Sequence, residues 1–201
     1  MVDGNGKSRL VCARRCAVNP MAHNVLQIAG MTMREQLSRL GGWAFTHIPG
    51  LRLLWARTTQ SVVEQQDVSW VPLRRRLPEC RIAVITTGGV HLVDQAPFDM
   101  ADPHGDPSYR IIPVGTPRSR LTITHNYYDH SDAEQDLNIL FPIELMASLV
   151  DRGVVGSLVD AYSFMGHIEG KHLTTLTGQT APEVAARLKQ ERVDAVLLTP
   201  A

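Results

Sequence analysis

Apolar residues in this chain gather in short runs separated by polar and turn-forming segments. Cys80 to Thr86 is a β-rich run, and Gly88-Gly89 ends it. Such a run reads as a buried strand of a parallel sheet. Asp136 to Phe141 reads as a second strand. Pro142 then suits the first turn of a helix that runs through Leu145, Met146 and Leu149 to Asp151, with Gly153 as its stop. Val154 to Val159 predicts the next strand. Thr180 caps a helix over Pro182–Glu191, with Pro182 in its first turn and Glu183 reaching back as in a capping box. Val184, Ala185 and Leu188 face inward from it. Asp194 to Thr199 is the last strand, and Val196, Leu197 and Leu198 give it the look of a central strand covered on both faces.

This alternation predicts an α/β fold: an open, mainly parallel sheet with flanking helices in Rossmann-like layers. The strands near 81–86, 154–159 and 194–199 should run parallel. Ahead of the sheet, Leu37, Leu40, Leu51 and Leu54 fall at near-helical intervals, and Gly41-Gly42 and Pro49-Gly50 interrupt them, which predicts two short helices. Gly4, Asn5, Gly6 and Asn19-Pro20 break the start of the chain, and Met21, Met31 and Met33 are alternative starts. The chain therefore divides into a flexible or spurious tail (1–32), a short helical segment (33–70) and an α/β domain (71–201). In open α/β sheets chemistry sits beyond the carboxyl ends of the strands. The sequence stops there, at Thr199-Pro200-Ala201, so the domain is expected to be incomplete at its C-terminus.

Composition narrows the function. The 201 residues carry 20 Lys plus Arg and 20 Asp plus Glu, a balance that gives no general attraction to nucleic acid or an anionic membrane. Arg74-Arg75-Arg76 is a local exception, either solvated charge or a phosphate or partner contact. No apolar run approaches the roughly 20 residues of a membrane span. The early basic residues are not followed by a secretory apolar core. Three cysteines, an odd number, suggest no disulfide framework, and a cytoplasmic protein is expected.

Four segments offer chemistry. Thr86-Thr87-Gly88-Gly89-Val90-His91 follows a strand and is either a plain turn or a ligand-facing loop, but is neither a dinucleotide fingerprint nor a P-loop. Thr124 to Asp136 holds His125, Asp129, His130, Asp132, Glu134 and Asp136. These could bind a metal, form a polar active-site wall or make structural hydrogen bonds. The spacing matches no metal motif, and no bound metal is expected. The loop with Asp94, Asp99, Asp102, His104 and Asp106 could ring a cationic amine, or form ordinary Asp-Pro turns. In Tyr162-Ser163-Phe164-Met165-Gly166-His167, the last residue is an acid–base candidate or a structural histidine. Cys80 opens a strand and is expected to be inert.

The motifs Val71-Pro-Leu-Arg-Arg75, Ile82 to Leu92, Asp94-Gln-Ala-Pro-Phe-Asp-Met100 and Gly105 to Arg110 resemble the selenoprotein B family of glycine/betaine/sarcosine/D-proline reductases. Thr124 to Asp132, Asp136-Leu-Asn138, Tyr162 to Gly166 and Asp194 to Pro200 continue the likeness over about two-thirds of the chain. The resemblance implies reductive cleavage of a carbon–nitrogen bond in a small amine or amino acid. It implies a pyruvoyl-type partner subunit that activates substrate and thiol electrons from a thioredoxin-like reductant. In the family a reactive selenocysteine or cysteine follows the last strand, so it is expected after Ala201. Selenocysteine is encoded by a codon otherwise read as stop, so a called end at that codon, a shortened paralogue and a deliberately shortened chain are the three explanations of the ending. On this reading His125, Asp129, His130 and His167 are catalytic. Thr87, Gly88, Gly89, His91, Asp99, Tyr109 and Ser163 bind substrate, and Gly88, Gly89, His91, His125, Asp129, His130, Ser163 and His167 are expected to converge near the carboxyl end of Thr199. A homo-oligomer is compatible. The alternatives are a non-catalytic substrate-binding or assembly module and a metal-dependent hydrolase using His125, Asp129, His130 and Asp132.

Overall fold

The computed structural model describes residues 33–51, 53, 54 and 71–201; the expected tail and residues 55–70 lie outside them. Helix α1 (Met33–His47) runs straight through Gly41-Gly42, where the sequence suggested a break. Gly42 is buried where α1 packs closely, and a Cβ on it would lie 3.3 Å from Tyr128 Cα, whereas Gly41 faces open space. The interruption comes instead at Pro49-Gly50, and helical residues resume at Leu51.

Strand β1 (Arg81–Thr86) is the axis of the domain. A hairpin-like pair, β2 (Val90–Leu92) and β4 (Leu121–Ile123), is antiparallel and separate from the main sheet. Between them lies β3 (Tyr109–Ile112). After helices α2 (Ser131–Gln135) and α3 (Ile143–Asp151) come β5 (Ser157–Leu158) and β6 (Ala161–Phe164). Helices α4 (Lys171–Thr175) and α5 (Ala181–Gln190) precede β7 (Ala195–Thr199). One edge of β1 pairs in parallel with β7 along Ile82–Thr86. The other edge pairs in parallel with β5 at its start and β6 at its end. Only β3 is antiparallel, against β6. The mainly parallel α/β sheet expected from the sequence is present.

Alternation along β1 sends Ile82 and Val84 to one face and Ala83 to the other. The first face packs on α3, the β2–β4 pair and the Leu137–Phe141 segment. The second is covered by Val184 and Leu188 of α5. β7 is not the doubly covered strand that its composition suggested. Among the described residues it pairs along one edge only, and Val196, Leu197 and Leu198 are 40%, 37% and 68% exposed. The physical reason is the placement of α5, which packs over Ala83, Tyr162 and Phe164 on β1 and β6.

Three further expectations change. Asp136–Phe141 is not a strand: it contains a 3₁₀ turn, Leu137–Ile139, because Asp136 Oδ1 accepts the Asn138 N–H at 3.0 Å and closes a local turn. Leu137, Leu140 and Phe141 are all buried at helical spacing, not at a strand's period of two. The strand expected over 154–159 shrinks to β5, and the chain pairs again as β6, which the sequence reading left unassigned. Thr180 does not cap a helix start: α4, a π-helical turn over Leu176–Thr180 and α5 are continuous, and Thr180 Oγ1 donates to Pro107 O at 2.9 Å. The wide turn accommodates Pro182, which has no N–H to donate to the preceding turn.

The loop from Asp94 to Thr124 is built rather than loose. Arg110 is its fastener: Nε donates to Ala96 O at 2.8 Å, Nη2 to Pro97 O at 3.0 Å and Nη1 to Ser108 Oγ at 2.8 Å. The guanidinium also lies 4.3 Å over the Phe98 ring. Lysine cannot fill that fork of donors. Arg110→Lys should therefore destabilise the loop by roughly 1.5–3 kcal/mol. Hydrogen exchange at the Ala101 and Asp106 amides should speed up while core amides of β1 stay protected.

Candidate functional site

The carboxyl ends of β1, β6 and β7 come together, and the polar motifs meet there. Thr87 N–H donates to Thr199 O at 3.1 Å, and Ala201 N–H donates to Thr87 Oγ1 at 3.0 Å. Gly166, just past β6, faces Thr87 so closely that a Cβ on it would lie 3.1 Å from Thr87 O. The Gly88-Gly89 turn is required by what crowds it. A Cβ on Gly89, where φ is +68°, would fall 2.4 Å from Thr124 O, and one on Gly88 would collide with the Leu140 side chain. Gly89 N–H donates to Phe164 O, and Gly89 O accepts from Thr124 N–H. The turn thus ties β6 to the segment that carries the histidines.

His125 is buried at this junction, and a Cβ on Gly89 would come 3.3 Å from its Cβ. Its Nδ1 accepts the Tyr127 backbone N–H at 3.2 Å. Tyr128 meets the ring at 4.5 Å between centroids and Tyr127 at 5.8 Å, both edge-on. Tyr127 in turn stacks on His167 at 4.1 Å. Tyr128 Oη donates to Gly88 O at 3.0 Å, and burial pushes its phenol pKa well above the ordinary range. His125 is held down to about 4, first by burial and then by repulsion from His130 and His167. It is a neutral ring at physiological pH. Ser163 lies on β6 in register with Thr86, fully buried.

The remaining candidates sit around this cluster or away from it. His130 Nδ1 lies 2.8 Å from Glu134 Oε1, close enough to pair charge but without hydrogen-bond alignment. Asp129 caps the Ser131 N–H at 3.1 Å and lies 3.8 Å from His47 of α1. His91 is engaged at both nitrogens: Nδ1 donates to Leu92 O at 2.7 Å, and Nε2 accepts from Thr124 Oγ1 at 2.8 Å. Asp99 braces its own loop by accepting the Ala101 N–H at 2.8 Å. Tyr109 packs on Tyr162 and Phe164, on the α5 side of the sheet. Thr87, Gly88, Gly89, His125, Ser163 and His167 are therefore tied together by the strand ends. His91, Asp99 and Tyr109 serve the surrounding framework. Sequence reasoning passed over Tyr127 and Tyr128; two aromatic residues between two histidines were the available signal.

A second His–Asp pair holds the acidic loop to the segment after β6. His172 Nε2 is 2.8 Å from Asp102 Oδ2. That bond, helped by the His104 N–H, lowers the Asp102 carboxyl to about 2. Gly105 presses on the same segment, where a Cβ would overlap His167 O. His167 is thus held by the loop on one side and by Tyr127 on the other. Among the described residues, no three His, Cys, Asp or Glu side chains are grouped to hold a metal ion. Asp129 and His130 turn to Ser131 and Glu134, so the metal-hydrolase alternative finds no support in this geometry. No helix among the described residues is long and apolar enough to cross a membrane.

Residues 57–201 match the glycine/sarcosine/betaine reductase selenoprotein B family. The chain belongs to that family. It is also similar to the D-proline reductase subunit gamma of Acetoanaerobium sticklandii, at 36% identity over 131 residues, 65% of this chain and 52% of that protein. The chain thus spans about half the length of the curated relative it matches. No solved structure matches it. The family match takes in every strand of the sheet and all of the strand-end cluster, and leaves out α1.

The depressed His125 pKa makes a stability prediction. The folded state favours the neutral ring, so the unfolded chain binds the extra proton. The contribution is fully present above the ordinary 6.5 and is lost as pH falls through about 4. Wild-type unfolding free energy should drop by roughly 3 kcal/mol more than that of His125→Phe across this window. Urea denaturation at pH 7 and pH 4 measures the difference.

Proposed function

We propose that this chain is the substrate-facing part of a selenol- or thiol-dependent reductase that cleaves the carbon–nitrogen bond of a small amino acid or betaine. The observation that carries this reading is the docking of Ala201 on Thr87, within the family-matched residues and beside the histidine cluster. A residue following Ala201 would begin at the strand-end site. Three buried polar atoms there lack a hydrogen-bond partner among the described residues; His130 Nδ1 still has the Glu134 carboxylate at 2.8 Å, whereas His125 Nε2 and Ser163 Oγ have nothing, which suits a site built to hold a ligand. A selenocysteine or cysteine in that position supplies an ionised, strongly nucleophilic selenolate or low-pKa thiolate.

The chain's own residues orient the substrate and handle protons. His167, half-buried between Tyr127 and the acidic loop, is placed to protonate a leaving amine. His130, beside Glu134, is a second proton-handling group at the cluster. Asp129 keeps the turn before α2 in shape. Gly88 and Gly89 let backbone and substrate approach closely. The net reaction breaks one C–N bond and forms one C–H and one N–H bond. Its two electrons come from a thiol or selenol pair, which closes to a disulfide or selenenylsulfide. A thioredoxin-like partner reduces that bond again, and a pyruvoyl-type subunit activates the substrate. A cytoplasmic setting, where thiols stay reduced, suits this chemistry.

The test extends the chain through its downstream reading frame, with Cys at any UGA codon, and supplies partner subunits. Amine release from glycine, sarcosine and betaine, and ring opening of D-proline, are measured with a dithiol. The extended chain should turn over at least one of them, and His167→Gln should lower kcat by about 10²-fold. Substrate binding without turnover would assign the chain to a non-catalytic binding module. Equal turnover by residues 1–201 alone would overturn a nucleophile after Ala201.

A further inference from the structure

His125 and His91 are both buried histidines of the same region, yet their rings are wired oppositely. His91 Nδ1 faces a carbonyl, so its proton sits on Nδ1, and Nε2 takes the Thr124 hydroxyl. His125 Nδ1 instead receives a backbone N–H, that of Tyr127. A nitrogen that accepts a hydrogen bond carries no proton, so in the neutral ring the proton of His125 is on Nε2. Nε2 has no partner among the described residues, although His125 is only 5% exposed. The neighbouring Tyr127 and Tyr128 rings offer at most π faces, a second-order substitute for an oxygen. Leaving a buried donor unmet costs roughly 1–3 kcal/mol.

Ser163 repeats the situation. Its Oγ is also buried and unpartnered. Its backbone neighbour Phe164 accepts from Gly89 N–H, and Gly89 crowds the His125 side chain. The two unmet groups therefore flank one glycine turn at the carboxyl ends of β1 and β6. The imidazole N–H can only donate, so it suits an oxygen acceptor and not an ammonium group, which itself only donates; the Ser163 hydroxyl, able to do either, can donate to the same acceptor.

We infer that His125 and Ser163 form the subsite that holds the carboxylate oxygen of the substrate, with His125 acting as a neutral Nε2–H donor and not as a proton-transfer group. The inference rests on the reductase reading for its choice of a carboxylate ligand. The ring stays neutral because burial, His130 and His167 all oppose its charge; among the described residues Tyr127 and Tyr128 are the aromatic groups packed against it. A ring that stays neutral across the working pH range keeps one N–H to donate, so it can polarise an oxygen without handing over a full proton. Proton delivery is left to His167.

The test reads the ring itself, without turnover. Long-range 1H–15N spectra of the 201-residue chain should show His125 protonated on Nε2 at pH 7, with titration only near 4. Acetate, titrated against chloride at matched ionic strength, should shift the His125 Nε2 signal. Carboxylate affinity should fall at least tenfold in His125→Phe and several-fold in Ser163→Ala, and His125→Gln, which keeps a donor at a similar reach, should restore most of it. A proton on Nδ1, titration near 6.5, or acetate binding unchanged in His125→Phe overturns the inference. Because these readouts need no C–N cleavage, failure of the reductase reading would appear separately, as acetate binding by a chain whose extended form turns nothing over.

Discussion

Everything at the candidate site depends on β1 being hydrogen-bonded in parallel along both edges. Parallel strands all point their carboxyl ends the same way. Pairing β7 on one edge and β6 on the other therefore delivers Thr87, Gly166 and Thr199 to a single sheet edge. The pairing is enforced by burial: Ile82, Ala83 and Val84 are covered on their respective faces, so a slip of one residue would turn each apolar side chain the wrong way. With β1 fixed, its next residues have little freedom. Thr86 gives its hydroxyl proton to Leu140 O and accepts from Gly88 N–H, which bends the chain into the glycine turn.

That turn converts a packing constraint into a chemical one. Because Gly88 and Gly89 have no side chains, Leu140, Thr124 and His125 move in against the backbone. Close approach dries the surroundings of His125. Dryness keeps the ring neutral, and the Tyr127 N–H selects which nitrogen bears the proton. The chemistry available at the site thus follows from steric permission at two glycines. The same region is held from outside by Arg110 and the Asp102–His172 pair, which order a loop rich in proline and aspartate against the start of α4. The glycine turn and the stapled loop hold His125 and His167 in fixed relation to the strand ends.

Family membership and geometry carry different weight. The family match reaches across the whole sheet and the strand-end cluster, so this domain is the part of the chain that carries the family likeness. The relative named as a D-proline reductase subunit is about twice as long as the matched region, and its name applies to that longer protein. What the half-length comparison leaves open, the geometry addresses with two unmet buried polar atoms. Folded proteins rarely leave such groups without partners. α1 lies outside the family match and sets its His47 3.8 Å from Asp129.

The sequence by itself determined the α/β class, the run that becomes β1, the stop at Gly88-Gly89, α3 after Pro142 and the last strand. These rest on local patterns: β-branched runs, a proline that suits a first turn and glycines that cannot continue a strand. It also marked the His125–His167 residues as polar groups near strand ends. The tertiary structure alone decided which of them share a site. Asp136–Phe141 has a strand-like composition, but an Asp136 side chain closing on Asn138 made it a turn. Thr180 looked like a cap until Pro107 claimed its hydroxyl. His91 and His125 are indistinguishable as letters. Which nitrogen carries the proton, and whether the other finds a partner, depend on atoms brought from distant strands, and the sequence pattern carries no record of those distances.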